Sequence, residues 1–309
     1  MGRIAEALKR AQQERERRRH VDLADRTDPV GIDWRQTGYR PNCTESPTEG
    51  SAKSSLSDMI IKPPPPRKSF AVEAEPIGVE VIDPHILTFH EPTSGIAEKY
   101  RSVRTRLVTN NPSGSTRIHA IISTLRQEGR TVTVANLGFS LAELKHLRVA
   151  MVDMDFRQQG LTRMLKADDR PGIAEVLRGE KRLAEVCIPV VRENLHFIPT
   201  GRLDKASPSD LLASNQMAEV FREINERYHY ALVDTPPLHA CADVGLIGPL
   251  CHSLLIVIRM NHTPEPLLRR SVKMLQANHL MIAGCILAGV SDDAVNFSDG
   301  QDFYNGGPQ

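Results

Sequence analysis

The chain has 309 residues, with 39 Lys+Arg against 38 Asp+Glu and a net charge of +1. This balance excludes bulk electrostatic binding to nucleic acid, and no nucleic-acid partner is expected. Hydrophobic residues make up 40%, enough for one large or two small cores with part of the chain left over. No apolar run approaches the ~20 residues of a spanning helix. The basic N-terminus lacks a secretory apolar stretch, and Glu6 stands where a myristoylation motif after Gly2 requires Ser or Thr. A soluble, cytoplasmic chain is expected. The five cysteines are scattered without metal-ligand spacing and read as free thiols.

In chain order, residues 1–20 have helix-forming composition, with Ile4, Leu8 and Ala11 on one face and seven basic side chains against three acidic ones. This basic helix suits docking to a partner or an anionic surface, or is simply solvated. Residues 21–88 read as a disordered Pro/Ser-rich linker, with nine of the 21 prolines before residue 90 and four in the run Pro63 to Pro66. Residues 89–291 change texture. Apolar runs predict strands at Ile118–Ser123, Val149–Asp153, Leu195–Pro199, Tyr230–Asp234, Leu254–Arg259 and Ile282–Leu287. Helices are predicted between them at Val132–Lys145, Ser209–Tyr228 and Pro264–Ala277. This alternation predicts an α/β fold, a doubly wound, mostly parallel sheet covered on both faces. Residues 292–309 read as a flexible tail.

Three strand ends carry the chemistry. After the first, Ser123-Thr124-Leu125-Arg126-Gln127-Glu128-Gly129-Arg130-Thr131-Val132 approximates a phosphate-binding loop. Such a loop offers backbone N–H groups and a helix N-terminus to phosphates, and a Thr hydroxyl to Mg²⁺. Gly129 and Thr131 fit, and Arg130 takes the Lys position. Val152-Asp153-Met154-Asp155-Phe156-Arg157 puts two carboxylates at the rim of the sheet, where ligands bind in such folds. Each could alternatively cap the next helix. Tyr230-Ala231-Leu232-Val233-Asp234 ends likewise in a carboxylate, and Thr235-Pro236-Pro237 turns the chain towards Asp243. Three converging carboxylates repel one another unless they serve a cation.

In order and spacing these stretches resemble the bacterial tyrosine kinases (BY-kinases) of capsule and exopolysaccharide synthesis, a MinD/ParA-like branch of P-loop proteins. The loop resembles S-A-x-P-G-E-G-K-S-T, the second motif I-D-x-D-x-R and the third D-T-P-P-x-x-x-x-x-D. Glu98-Lys99-Tyr100-Arg101-Ser102-Val103-Arg104 looks like the E-x-x-R-x-x-R helix that packs family members into rings. Pro208 to Ser214 resembles the N-P-x-E-L-L-x-S segment.

The resemblance implies a P-loop domain that binds ATP and Mg²⁺ and transfers the γ-phosphoryl group to tyrosine. It implies cofactor contacts at Gln127, Glu128, Gly129, Arg130, Thr131, Val132 and Arg157. It implies metal binding at Thr131, Asp153 and Asp234, catalytic roles for Asp155, Asp153 and Arg130, and oligomerisation through Glu98, Arg101 and Arg104. The last three alternatively pair along their own helix. A membrane-spanning polysaccharide co-polymerase would be the activating partner, recruiting a homo-oligomer to the inner face of the membrane. Several positions depart from the family. Arg130 replaces the loop lysine, and Arg126 and Gln127 replace Pro and Gly. Ala288 stands in place of an adenine-binding Asn, and Tyr304 is the tail's one tyrosine. A non-catalytic scaffold is therefore the rival reading. A ParA- or MinD-like positioning ATPase lacks its marker lysine, since Leu125 occupies that place.

Overall fold

The computed structural model describes residues 72–290 except 205 and 241. The basic N-terminal helix, the linker up to residue 71 and the C-terminal tail lie outside the described residues.

Seven strands form one sheet: β1 (Arg117–Ser123), β2 (Val149–Asp153), β3 (Ile188–Val190), β4 (Arg192–Ile198), β5 (Tyr230–Asp234), β6 (Ser253–Arg259) and β7 (Ile282–Ala288). Their order is β3-β4-β2-β5-β1-β6-β7. All pairs are parallel except β3 with β4. The expected doubly wound sheet is therefore present, with the short antiparallel β3 as an additional edge. β2 and β5 are buried along their whole length, as continuous apolar runs covered on both faces must be.

Helices cover the sheet by burying one face each. In Gln216–Arg227 the buried residues are Met217, Val220, Phe221 and Ile224, and in Glu265–Ala277 they are Leu268, Ser271, Val272 and Leu275. These are the three- and four-residue spacings of an amphipathic helix. The helix Arg130–Ala142 is different. It leaves β1, is buried nearly all round, and carries Val134, Leu137, Phe139 and Leu141 in the main core. At Gly138 a side chain would meet Met151 Sδ at 2.5 Å, so a larger residue here would have to push the Met151 side chain aside.

Three boundaries differ from expectation. The linker ends earlier than residue 88, because Ile77, Ile82 and Ile86 are buried in the core. Ile77 bridges to Val190, and Thr88 is bound through its N–H and hydroxyl to Asn136. The expected helix Ser209–Tyr228 is two helices, Pro208–Leu212 and Gln216–Arg227, broken at Ala213 to Asn215. The helix after the loop begins at Arg130 and ends at Ala142, where Val132 and Lys145 were expected.

Candidate functional site

The sheet order sets the site. β5 lies between β1 and β2, with Asp234 in register with Ile121 on one side and Asp153 on the other. The ends of three strands, and the loop after β1, therefore meet at one point on the carboxyl rim, where the strand order reverses.

The loop has the backbone of an anion nest. Gln127 sits at φ 61° and Gly129 at φ 92°, both left-handed, so consecutive N–H groups turn towards one concavity. A side chain at Gln127 costs about 1 kcal/mol relative to the glycine that adopts this conformation freely. The loop is held from β6 and the residues after it. Arg259 Nη1 donates to the Gln127 carbonyl at 2.9 Å, and His262 Nε2 to that of Arg126 at 3.1 Å. The Glu128 carboxylate, buried, accepts from the Leu125 N–H at 3.0 Å and from the Thr263 hydroxyl. Glu128 is therefore turned inward as a brace of the loop. The N–H groups of Gly129, Arg130 and Thr131 have no acceptor among the described residues, which fits a phosphate.

Arg130 dominates the floor of the site. Its side chain is 7% exposed. Its Nε meets Asp234 Oδ1 at 3.1 Å, its Nη2 meets Asp155 Oδ2 at 3.0 Å, and its Nη1 donates to Ser123 Oγ at 2.8 Å. The planar fork that distinguishes arginine from lysine bridges two carboxylates at once. The cation demanded by the converging acids is thus the chain's own.

The remaining oxygens of those acids are also engaged. Asp234 Oδ2 accepts from the Thr131 hydroxyl at 2.7 Å. Asp155 Oδ1 accepts from the backbone N–H groups of Arg157 and Gln158. Asp153 accepts the Asp155 N–H on one oxygen and the Thr162 N–H and hydroxyl on the other, the last two at 2.8 Å. Burial, then the charge of Asp234, push Asp153 up to about 7 against those bonds. Burial also raises Asp234, and Arg130 opposes it.

The structure therefore brings Arg130, Thr131, Asp153, Asp155 and Asp234 together as expected, but joins them differently. Asp153 ties the start of the next helix, at Thr162, instead of facing a metal. Thr131 and Asp234 bind each other. Among the described residues no group of three or more His, Cys, Asp or Glu is arranged to hold a metal ion. A Mg²⁺ ion needs oxygen ligands at about 2.1 Å, and here Thr131 and Asp234 Oδ2 are taken up by each other while Arg130 holds Asp234 Oδ1 and Asp155 Oδ2. The nest fits phosphate, and the seat beside it does not fit Mg²⁺. The Arg157 side chain, expected at the cofactor, pairs with Asp243 at 3.1 Å. Arg101 and Arg104 converge on Glu143 of their own chain, with Arg101 Nη2 at 2.8 Å and Arg104 Nη1 at 2.5 Å. Glu98 adds an ion pair to Arg101 at 3.3 Å. Intramolecular pairing thus accounts for all three side chains expected at an oligomer interface.

Ser123, Thr162, Arg259, His262 and Thr263 were not anticipated as site residues. Ser123 lay in the motif itself. The other four are brought in by the fold from distant or unpatterned positions.

Comparison with known proteins agrees with this fold. The sequence profile of an AAA domain family (AAA_31) matches residues 118–265. The tyrosine-protein kinase wzc of Salmonella typhi is 26% identical over 214 residues, covering 69% of this chain and 30% of the relative. The succinoglycan biosynthesis transport protein ExoP of Rhizobium meliloti is 29% identical over 180 residues, covering 58% of this chain and 23% of the relative. The chain thus spans less than a third of the length of these curated relatives. Among solved structures, the kinase domain of the Escherichia coli tyrosine kinase ETK superposes with a TM-score of 0.62 at 25% identity, covering 66% of this chain and 80% of that one. The BceF tyrosine kinase domain gives 0.60 at 27% identity, covering 67% and 82%. Shared fold, sequence similarity and the three strand-end motifs make the described domain a P-loop-type domain similar to the bacterial tyrosine kinases, with arginine in the place of the loop lysine.

Proposed function

We propose that this chain acts in exopolysaccharide polymerisation and export as a kinase-like regulator whose phosphotransfer to tyrosine is blocked or strongly impaired. The kinase-like role in that machinery rests on the relatives. The impairment rests on one observation, the buried Arg130 spanning Asp155 and Asp234. In the family's chemistry the carboxylate at the place of Asp155 helps activate the tyrosine hydroxyl, and the one at Asp234 serves Mg²⁺. Here both are held by one fixed guanidinium. Both oxygens of Asp155 are already engaged, one by Arg130 and the other by the Arg157 and Gln158 N–H groups, so neither is free to meet a tyrosine hydroxyl. The protein would then work through its fold and its contacts with a membrane-spanning co-polymerase, beside which it would sit on the cytoplasmic face. No helix among the described residues is long and apolar enough to cross a membrane.

A second reading, an active tyrosine autokinase using ATP and Mg²⁺, is favoured by the retained carboxylates and by the nest at Gln127 and Gly129. Autophosphorylation of the full chain separates the two, with and without the co-polymerase. The impaired reading expects the wild type to be at least about ten-fold slower than Arg130→Lys, or inactive in both forms, which corresponds to about 1.4 kcal/mol of barrier. A wild type as fast as or faster than the lysine variant overturns it.

A further inference from the structure

We infer that Arg130 substitutes for the divalent cation at the loop, so that this domain binds the phosphates of a nucleoside di- or triphosphate without Mg²⁺. The inference rests on the nest being a phosphate site, as proposed above, and goes beyond it by naming what neutralises the ligand.

The seat beside the nest holds a positive charge already. An arginine side chain has five N–H donors. Three are placed on Asp155, Asp234 and Ser123. The other two, on Nη1 and Nη2, have no acceptor among the described residues, although the side chain is only 7% exposed. Donors buried without acceptors call for an anion or a water. Arg130 is also the first residue of its helix. The free N–H groups of Gly129, Arg130 and Thr131 and the spare guanidinium donors therefore belong to one short stretch of chain. Guanidinium and phosphate match in planarity and spacing, which makes arginine a strong phosphate ligand.

The acids point the same way. Asp234 gives one oxygen to Arg130 and the other to Thr131, and Asp155 gives one to Arg130 and the other to two backbone N–H groups. A Mg²⁺ ion arriving with a nucleotide would compete with these bonds for every carboxylate oxygen of Asp155 and Asp234 it took.

The test is calorimetric titration of the full chain with ADP and with inorganic pyrophosphate, each in EDTA and in excess Mg²⁺. For the wild type the ADP dissociation constant is expected to change by less than about three-fold between the two conditions. Tightening by about ten-fold or more in Mg²⁺, or no binding in either condition, overturns the inference. Arg130→Lys, which restores a compact point charge, is expected to bind ADP with a Mg²⁺ requirement of about ten-fold or more. Should that variant not fold, the two wild-type titrations decide alone. Pyrophosphate binding as tight as that of ADP overturns the nucleoside part of the inference. Weaker pyrophosphate binding supports it. Autophosphorylation is measured separately, so metal-dependent binding refutes this inference while leaving impaired phosphotransfer standing.

Discussion

Replacing Arg130 by methionine keeps most of the methylene stem and removes the charge. Two buried carboxylates, Asp155 and Asp234, then lose their shared cation, and Ser123 Oγ loses a donor. Breaking a buried ion pair from one side costs about 3–5 kcal/mol, because the abandoned charge stays buried. For a domain of this size each kcal/mol lowers the melting temperature by about 2–4 °C, so a drop of about 10 °C is expected. The sign with pH follows from burial. It already raises Asp234, and without Arg130 opposing it Asp234 takes up a proton more readily. The penalty should be largest near pH 8 and shrink towards pH 5. Adding Asp155→Asn to Arg130→Met removes one abandoned charge and should return at least about 1 kcal/mol by coupling. Urea unfolding of the wild type, Arg130→Met, Asp155→Asn and the double variant at both pH values reads this directly. If Arg130→Met lies within about 1 kcal/mol of wild type at pH 8, the guanidinium is not holding the acids and the site has been misread.

Further outcomes follow from the same contacts. Asp153 is pushed up to about 7 from 3.8, so its contribution to stability is complete below the unfolded value and is lost as pH rises through the folded one. Relative to Asp153→Asn, the wild type should lose stability as pH rises from 3.8 to about 7 in urea titrations, the window those values set. Burial raises Glu143, but Arg101 and Arg104 outweigh it and hold the carboxyl low. Glu143→Gln should then cost about 1–2 kcal/mol at pH 7, less as acid protonates the wild-type carboxylate, and sedimentation should show whether assembly changes with it. Gln127→Gly should leave stability unchanged or raise it by up to about 1 kcal/mol, whereas Gly129→Ala should lower it by about 1–2 kcal/mol, both by denaturant unfolding.

Much of the fold was legible because parallel strands buried on both faces read as unbroken apolar runs, as at Val149–Asp153 and Tyr230–Asp234. The segment holding Ile77, Ile82 and Ile86 was not. Its apolar residues have no helical or strand period and stand among Pro76, Pro84 and polar residues, yet they fill the core edge beside β3. β3 has three residues with Pro189 in the middle, too short to register as a strand. At the site, the convergence of acids was visible in sequence and so was the need for a cation. Which cation was not, since the choice of Arg130 to reach Asp155 and Asp234 is made by packing across 25 and 104 residues of chain. The same holds for Arg157, whose partner Asp243 is 86 residues away, and for Arg101 and Arg104, which Glu143 draws inward.

The guanidinium's place as the built-in cation is tested most directly by thermal unfolding in Mg²⁺ alone. Wild type and Arg130→Met would be melted with EDTA and with saturating Mg²⁺, without nucleotide. A wild-type melting temperature that ignores Mg²⁺ is expected, together with a rise for Arg130→Met, whose Asp155 and Asp234 are left to seek a cation. Free Mg²⁺ at ~100 times its dissociation constant would stabilise a true metal site by about 2.7 kcal/mol. A wild-type shift of that size, matching or exceeding the variant's, would show that the acids still serve a metal and contradict the assignment of Arg130.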